Sequence, residues 1–298
     1  MQNKFIYKKN SLMLFFFPLH PFKVFKNIRL ISVVAMLISL RFIMQYFTFY
    51  IPSVGMSISF AWSPLVIIGW IFGPVTGFFI GFLTDTITFV MKPNGVWFWL
   101  HAIQEPLVGF IAGLIGSLYF IRSNSIKKNF KIDFFINQFF LFFFSVISGI
   151  IFFVWLQKDD NKFEGSSKVD KSIFLFSIIT MLLGFFIFII IIEFIIFFTW
   201  KNHKNKILIL FWIINLTILL STIFSFLLGV ISTIEYYKFI NGSYSPYFKK
   251  YGVLFYLFPR LIKELIKVPI QNIIFFISIP FCVYKIKTIK KNLCLKWN

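Results

Sequence analysis

Long apolar runs recur along most of this chain, separated by short polar stretches, and that alternation limits its fold more than any other feature. The hydrocarbon core of a bilayer is roughly 30 Å thick, so about 20 apolar residues in helical form cross it. Within it every backbone polar group needs a partner in the chain, which makes such runs helices. Hydrophobic residues are 59 % of the 298, against roughly 45–50 % in soluble domains. The expected class is an all-α integral membrane protein with little soluble mass.

Eight spans are expected, at about 30–50, 64–72, 75–91, 100–121, 134–156, 172–200, 207–234 and 254–284. The second is short for a bilayer and is expected to pack inside the bundle. Residues 51–55 (Ile-Pro-Ser-Val-Gly) break the first span. Residues 56–62 alternate polar and apolar, the pattern of an extended re-entrant stretch. Gly73-Pro74 reads as a tight turn. Gly69, Gly73, Gly77 and Gly81 recur every fourth residue, so small faces flank that turn and allow close helix approach. Gly109, Gly113 and Gly116 give span four a small face too.

A formal charge of +20 invites a nucleic-acid reading. Its distribution excludes one: the cations sit in short segments between spans, and no basic domain carries a phosphate-tracking surface. Leader 1–29, segment 122–131, loop 201–206 and the tail are basic, and all fall on one side if the spans number eight. The positive-inside rule then places both termini in the cytoplasm of a multi-pass cell-membrane protein. The loops at 51–62, 92–99 and 236–251 converge on the opposite face.

Metal and redox chemistry find no support. Cys282 and Cys294 form no CxxC pair, and the three histidines are far apart. His101-Ala102-Ile103-Gln104-Glu105 lacks the second histidine that a helical metal pair needs. No GK[ST] follows the glycines, so no nucleotide site is implied. No cofactor is expected, and the chain is not expected to be an enzyme.

The informative residues are the charges inside the spans. Arg260, Lys263, Glu264 and Lys267 fall at i, i+3, i+4 and i+7 and share one helix face. A charge at membrane depth costs roughly 2.5–3.5 kcal/mol on insertion scales and persists where it meets a cavity or a partner. Three cations against one anion suit an anionic ligand; a cluster snorkelling to headgroups is the alternative. Arg41, Asp85 and Glu105 are the other candidates, grouped with Arg260 and Lys263 in one outward-facing pocket. Asp85 serves either a ligand or an internal ion pair with Arg41. Trp62, Trp97 and Phe98 serve either as stacking surfaces or as interfacial anchors.

Three stretches carry a family resemblance. They are Ile51-Pro52 with Ser57-Ile58-Ser59-Phe60 and Pro64; Ile71-Phe72-Gly73-Pro74-Val75-Thr76-Gly77 with Gly81 and Asp85; and Pro93-Asn94-Gly95 with Phe98, Gly109 and Gly113. Together they resemble the substrate-binding S component of energy-coupling factor (ECF) vitamin transporters. Pro259-Arg260-Leu261-Ile262-Lys263-Glu264-Leu265-Ile266, followed by Pro269-Ile270-Gln271, is similar to the last helix of the folate branch. The resemblance implies a six-helix bundle with an inserted helix pair. Its domains would be a leader (1–29), core helices one to four (30–122), the inserted region (123–206), the last two core helices (207–285) and a basic tail (286–298). It implies a high-affinity receptor that delivers a vitamin to a transmembrane coupling subunit and two ATP-binding subunits. Ser57, Ser59, Trp62, Trp97 and Phe98 would join Arg41, Asp85, Glu105, Arg260 and Lys263 around a folate-like ligand. Arg260 and Lys263 would take its carboxylates, and Asp85 or Glu105 the donor edge of its pteridine. Ala35 and Ser39 on helix one would meet the coupling subunit.

Overall fold

The computed structural model describes residue 16 and residues 28–51, 56–91, 95–159 and 204–292. The rest of the leader, the loop tips at 52–55 and 92–94, residues 160–171, the span expected at 172–200, the start of the basic loop at 201–203 and the last six residues lie outside the described residues.

Five described helical stretches are long and apolar enough to cross a membrane: Ile28–Tyr46, Pro74–Met91, Trp99–Arg122, Leu208–Asn241 and Phe255–Tyr284. They surround a shorter helix, α2 (Trp62–Phe72), in which every residue from Ser63 to Phe72 is buried. Eleven residues rise only about 16 Å, too little to cross a bilayer. The sequence is apolar on all sides because the helix is covered on all sides. Its Leu65, Trp70 and Phe72 join Val108, Leu216, Phe275 and Ile279 in the main core.

Helix α1 (Ile28–Tyr46) ends earlier than the expected 50. The β-branched and aromatic residues that follow instead form strand β1 (Thr48–Ile51), antiparallel to β2 (Met56–Ser59), with Thr48 opposite Ser59 and Ile51 opposite Met56. The extended stretch was legible at 56–59; its partner was hidden in what reads as the end of a helix.

Gly73 alone separates α2 from α3 (Pro74–Met91). Its φ of 97° is accessible to glycine at no steric cost. Its N–H donates to the Gly69 carbonyl at 2.9 Å, and Pro74 starts α3 where no backbone donor is needed. After the short α4 (Trp99–Ala102), α5 (Gln104–Asp159) crosses this turn. A Cβ on Gly69 or Gly77 would strike the Gly109 carbonyl, one on Gly113 would strike Pro74, and one on Gly116 would strike Trp70. Gly109, Gly113 and Gly116 thus bring backbone against backbone along both limbs of the turn.

Segment 122–131, expected as a loop that begins the inserted region, is helical and continues α5 to Asp159. It holds no glycine or proline, and lysine is a good helix former; its charge was the only mark of a loop. α5 packs on α6 (Lys204–Leu220) through Phe134 against Phe211 and through Asn215, whose Nδ2 donates to the Asn137 carbonyl and side-chain oxygens. Gln104 of the same helix contacts Ser232. Gln104 and Asn137 would lie about 50 Å apart on a straight helix, whereas Asn215 and Ser232 are about 25 Å apart on theirs. α5 therefore bends between its two contacts.

Beyond α6 the backbone widens into a π-helical segment, Ser221–Leu227, then continues as α7 (Leu228–Asn241). The start of the expected loop 236–251 is therefore helix. Gly242, at φ 68°, ends α7. The short α8 (Pro246–Tyr251) is capped by Ser245, whose hydroxyl accepts from the Phe248 N–H at 3.0 Å. α9 (Leu254–Asn292) contains Pro259, Pro269 and Pro280.

Candidate ligand-binding site

The charged stripe of α9 faces inward. Arg260, Lys263, Glu264 and Lys267 line a cavity of about 240 Å³ with Gln271 one turn further on. The opposite walls are Ser59 at the end of β2, Trp62 and Val66 of α2, Gln104 of α5, and Leu220, Ser221, Phe224 and Ser225 around the π-helical segment. A π-helical turn moves side chains off the regular helical rows, a distortion frequent at functional sites.

Each charge has a distinct environment. Arg260 Nη2 donates to Thr233 Oγ1 at 2.6 Å, while its buried Nε has no partner among the described residues. Glu264 is 4 % exposed; its Oε2 accepts from Ser221 Oγ at 2.7 Å, and Lys267 Nζ stands 3.8 Å from its Oε1. Lys267 Nζ also lies 5.3 Å from the centre of the Trp62 ring, a cation–π contact. Lys263 lines the cavity and makes no hydrogen bond among the described residues. Gln104 Nε2 donates to Ser232 Oγ at 3.1 Å. The cavity thus holds three cations and one acid, a formal excess of two positive charges.

The expected single pocket is divided. Of the residues singled out in the sequence, Ser59, Trp62, Arg260 and Lys263 line this cavity. Asp85, Trp97 and Phe98 line a second one. Arg41 and Glu105 line neither. Arg41, 2 % exposed, forms an ion pair with Glu105. It also donates to Gln45 Oε1 at 3.1 Å and to Thr88 Oγ1. Thr84 Oγ1 completes the group, donating to Glu105 Oε2 at 3.2 Å. The internal pair expected for Arg41 therefore exists, with Glu105 in place of Asp85. Two buried charges that satisfy each other leave Glu105 little acceptor capacity for a ligand.

Ser57 is exposed on the hairpin, on the same strand face as Ser59 but further toward its tip. Ala35 and Ser39 are exposed on α1, where Ser39 Oγ donates to the Ala35 carbonyl at 3.0 Å.

Gln104, Ser221, Ser225 and Gln271 line the cavity without being among the site residues expected from the sequence. Gln271 had a signal, being four residues beyond Lys267 on the same stripe. The serines had none, since π-helical geometry leaves no mark in hydrophobic periodicity.

A family model described as "ECF transporter, substrate-specific component" matches residues 29–199. The chain is 34 % identical over 289 residues to "Uncharacterized protein MG313" of Mycoplasma genitalium, covering 94 % of this chain and 99 % of the relative. It is 34 % identical over 265 residues to "Uncharacterized protein MG313 homolog" of Mycoplasma pneumoniae, covering 87 % and 91 %. No solved structure matches.

Proposed function

Because this chain belongs to the family of ECF transporter substrate-specific components, we propose that it is the receptor for an anionic vitamin of the folate class. The family is one of transporter components, not of enzymes, and its members partner with ECF transmembrane and ATPase subunits. The observation that carries the vitamin's charge class is the α9 wall: Arg260, Lys263 and Lys267 against Glu264 alone.

A folate-like ligand carries two carboxylates at neutral pH, which matches the excess of two positive charges. Arg260 and Lys263 bind them; a guanidinium can hold a carboxylate with two parallel bonds, and a lysine binds as a point charge. Trp62 offers a face to the ring system, and Ser59 a hydroxyl at the hairpin end. The remaining features follow the resemblance: a six-helix core with an inserted pair, eight spans in all, and both termini in the cytoplasm. Ala35 and Ser39 dock the coupling subunit. ATP hydrolysis belongs to the ATPase partners, consistent with a chain that lacks a GK[ST] phosphate loop.

Titration of the purified protein with a reduced folate tests the reading. Saturable binding that Arg260→Ala weakens at least tenfold is expected, a lost charge-assisted bond being worth roughly 1.5–3 kcal/mol. Unchanged affinity would remove Arg260 from the site. Saturable binding of a neutral or cationic vitamin at this cavity instead, identified by mass spectrometry of the co-purified small molecule, would overturn the anionic class.

A further inference from the structure

A second cavity, also of about 240 Å³, lies between the end of α3, the turn after Gly95 and the end of α7. Asp85 is the only acid in its lining. Among the described residues this carboxylate has no hydrogen bond or ion pair. The charges within its reach are Arg41 and Glu105, which already pair with each other. Asp85 is half-buried in this lining, an acid with no partner of its own and open to a counter-charge from outside the chain.

The rest of the lining says what kind of counter-charge fits. Trp97, Phe98 and Tyr236 present aromatic rings to the same space, and the Phe98 and Tyr236 rings hold each other at 5.7 Å. The turn is fastened to this group: the Val96 N–H donates to Tyr236 Oη at 3.2 Å. Aromatic faces attract weakly hydrated cations, and most strongly where water is excluded. A bare metal ion fits poorly. It needs several oxygen ligands, and the Gln45 and Thr88 oxygens that could join Asp85 already accept from the Arg41 guanidinium. No group of three His, Cys, Asp or Glu stands together among the described residues.

We propose that this cavity binds an organic cation, with its ammonium-type charge on Asp85 and its apolar body against Trp97, Phe98 and Tyr236. The site is separate from the α9 cavity and does not depend on the anionic-vitamin reading.

The test is isothermal titration of the full-length protein in detergent with benzyltrimethylammonium and with neopentylbenzene, its neutral isostere. Wild type binds the cation saturably and at least about tenfold tighter than the isostere, as Coulomb attraction to the Asp85 carboxylate requires. Asp85→Asn removes that preference. Trp97→Ala weakens cation binding about threefold or more, as loss of a cation–π face does. Arg260→Ala does not weaken it. Equal binding of cation and isostere by wild type would overturn the proposal without recourse to any variant. So would full retention in a folded Asp85→Asn protein, or displacement of the probe by potassium at equal concentration.

Discussion

The cavity under Arg260 and the cavity beside Asp85 have the same size and draw on the same two membrane-length stretches, Trp99–Arg122 and Leu208–Asn241, yet their charge balance is opposite. Gln104 faces the first; His101 and Ala102, less than one turn earlier, line the second. Ser232 holds Gln104, and Tyr236, one turn later, lines the second cavity. The first has an excess of two positive charges along α9, and the second has one acid among aromatic rings. The difference comes from where the buried ion pair sits. Arg41 and Glu105 cancel each other behind the second cavity, which leaves Asp85 to set its sign. Glu264, by contrast, is outnumbered by the cations on its own helix. In a low-dielectric bundle the local sum of charges, more than cavity size, decides what can enter.

The largest expected effect comes from breaking the pair that separates the two. Arg41→Leu leaves Glu105 buried without a counter-charge, and removing one partner of such a pair costs about 3–5 kcal/mol. The melting temperature in detergent should fall sharply, and Arg41→Leu with Glu105→Leu should recover much of the loss. A single variant as stable as wild type would show that the pair does not hold α1 to α5. Next comes Arg260→Ala, with at least tenfold weaker anion binding, roughly 1.5–3 kcal/mol, and no loss of cation binding. Gly109→Ala forces a Cβ into the Gly77 carbonyl and should destabilise by about 1–3 kcal/mol, without changing the relative affinity for the two ligand types. Asp85→Asn should mirror Arg260→Ala on the other side: about tenfold weaker cation binding, anion binding intact. Should either variant affect both ligands alike in a titration, the two cavities are one site. Smallest in its effect on binding is Ala35→Trp. It should leave both affinities as they are and block uptake in vesicles carrying the assembled transporter; sustained uptake would move the docking face off α1.

Several parts of this arrangement were legible along the chain. The stripe Arg260, Lys263, Glu264 and Lys267 follows from i, i+3, i+4 spacing, and its inward direction from the cost of charge in lipid. The glycine spacing at 69, 73, 77 and 81 announced a close approach, and the apolar completeness of 64–72 announced burial. Other parts were not. Charge alone suggested a break at 122–131, but charge does not stop a helix, so α5 runs on. The strand at Thr48–Ile51 exists because Met56–Ser59 pairs with it. The π-helical segment that brings Ser221 to Glu264 has no periodicity of its own.

Read by itself, the chain determined the class, the apolar segments, the charged face of the last helix and the family. Each of these is written in residues only a few turns apart, where helical spacing and the energetics of burial act directly. Only the tertiary structure decided that Arg41 takes Glu105, 64 residues away, and leaves Asp85 alone. It also decided that the acid and the α9 cations stand in separate chambers. A buried charge takes whichever opposite charge the packing places within reach, and that is set by how the helices cross, not by distance along the chain.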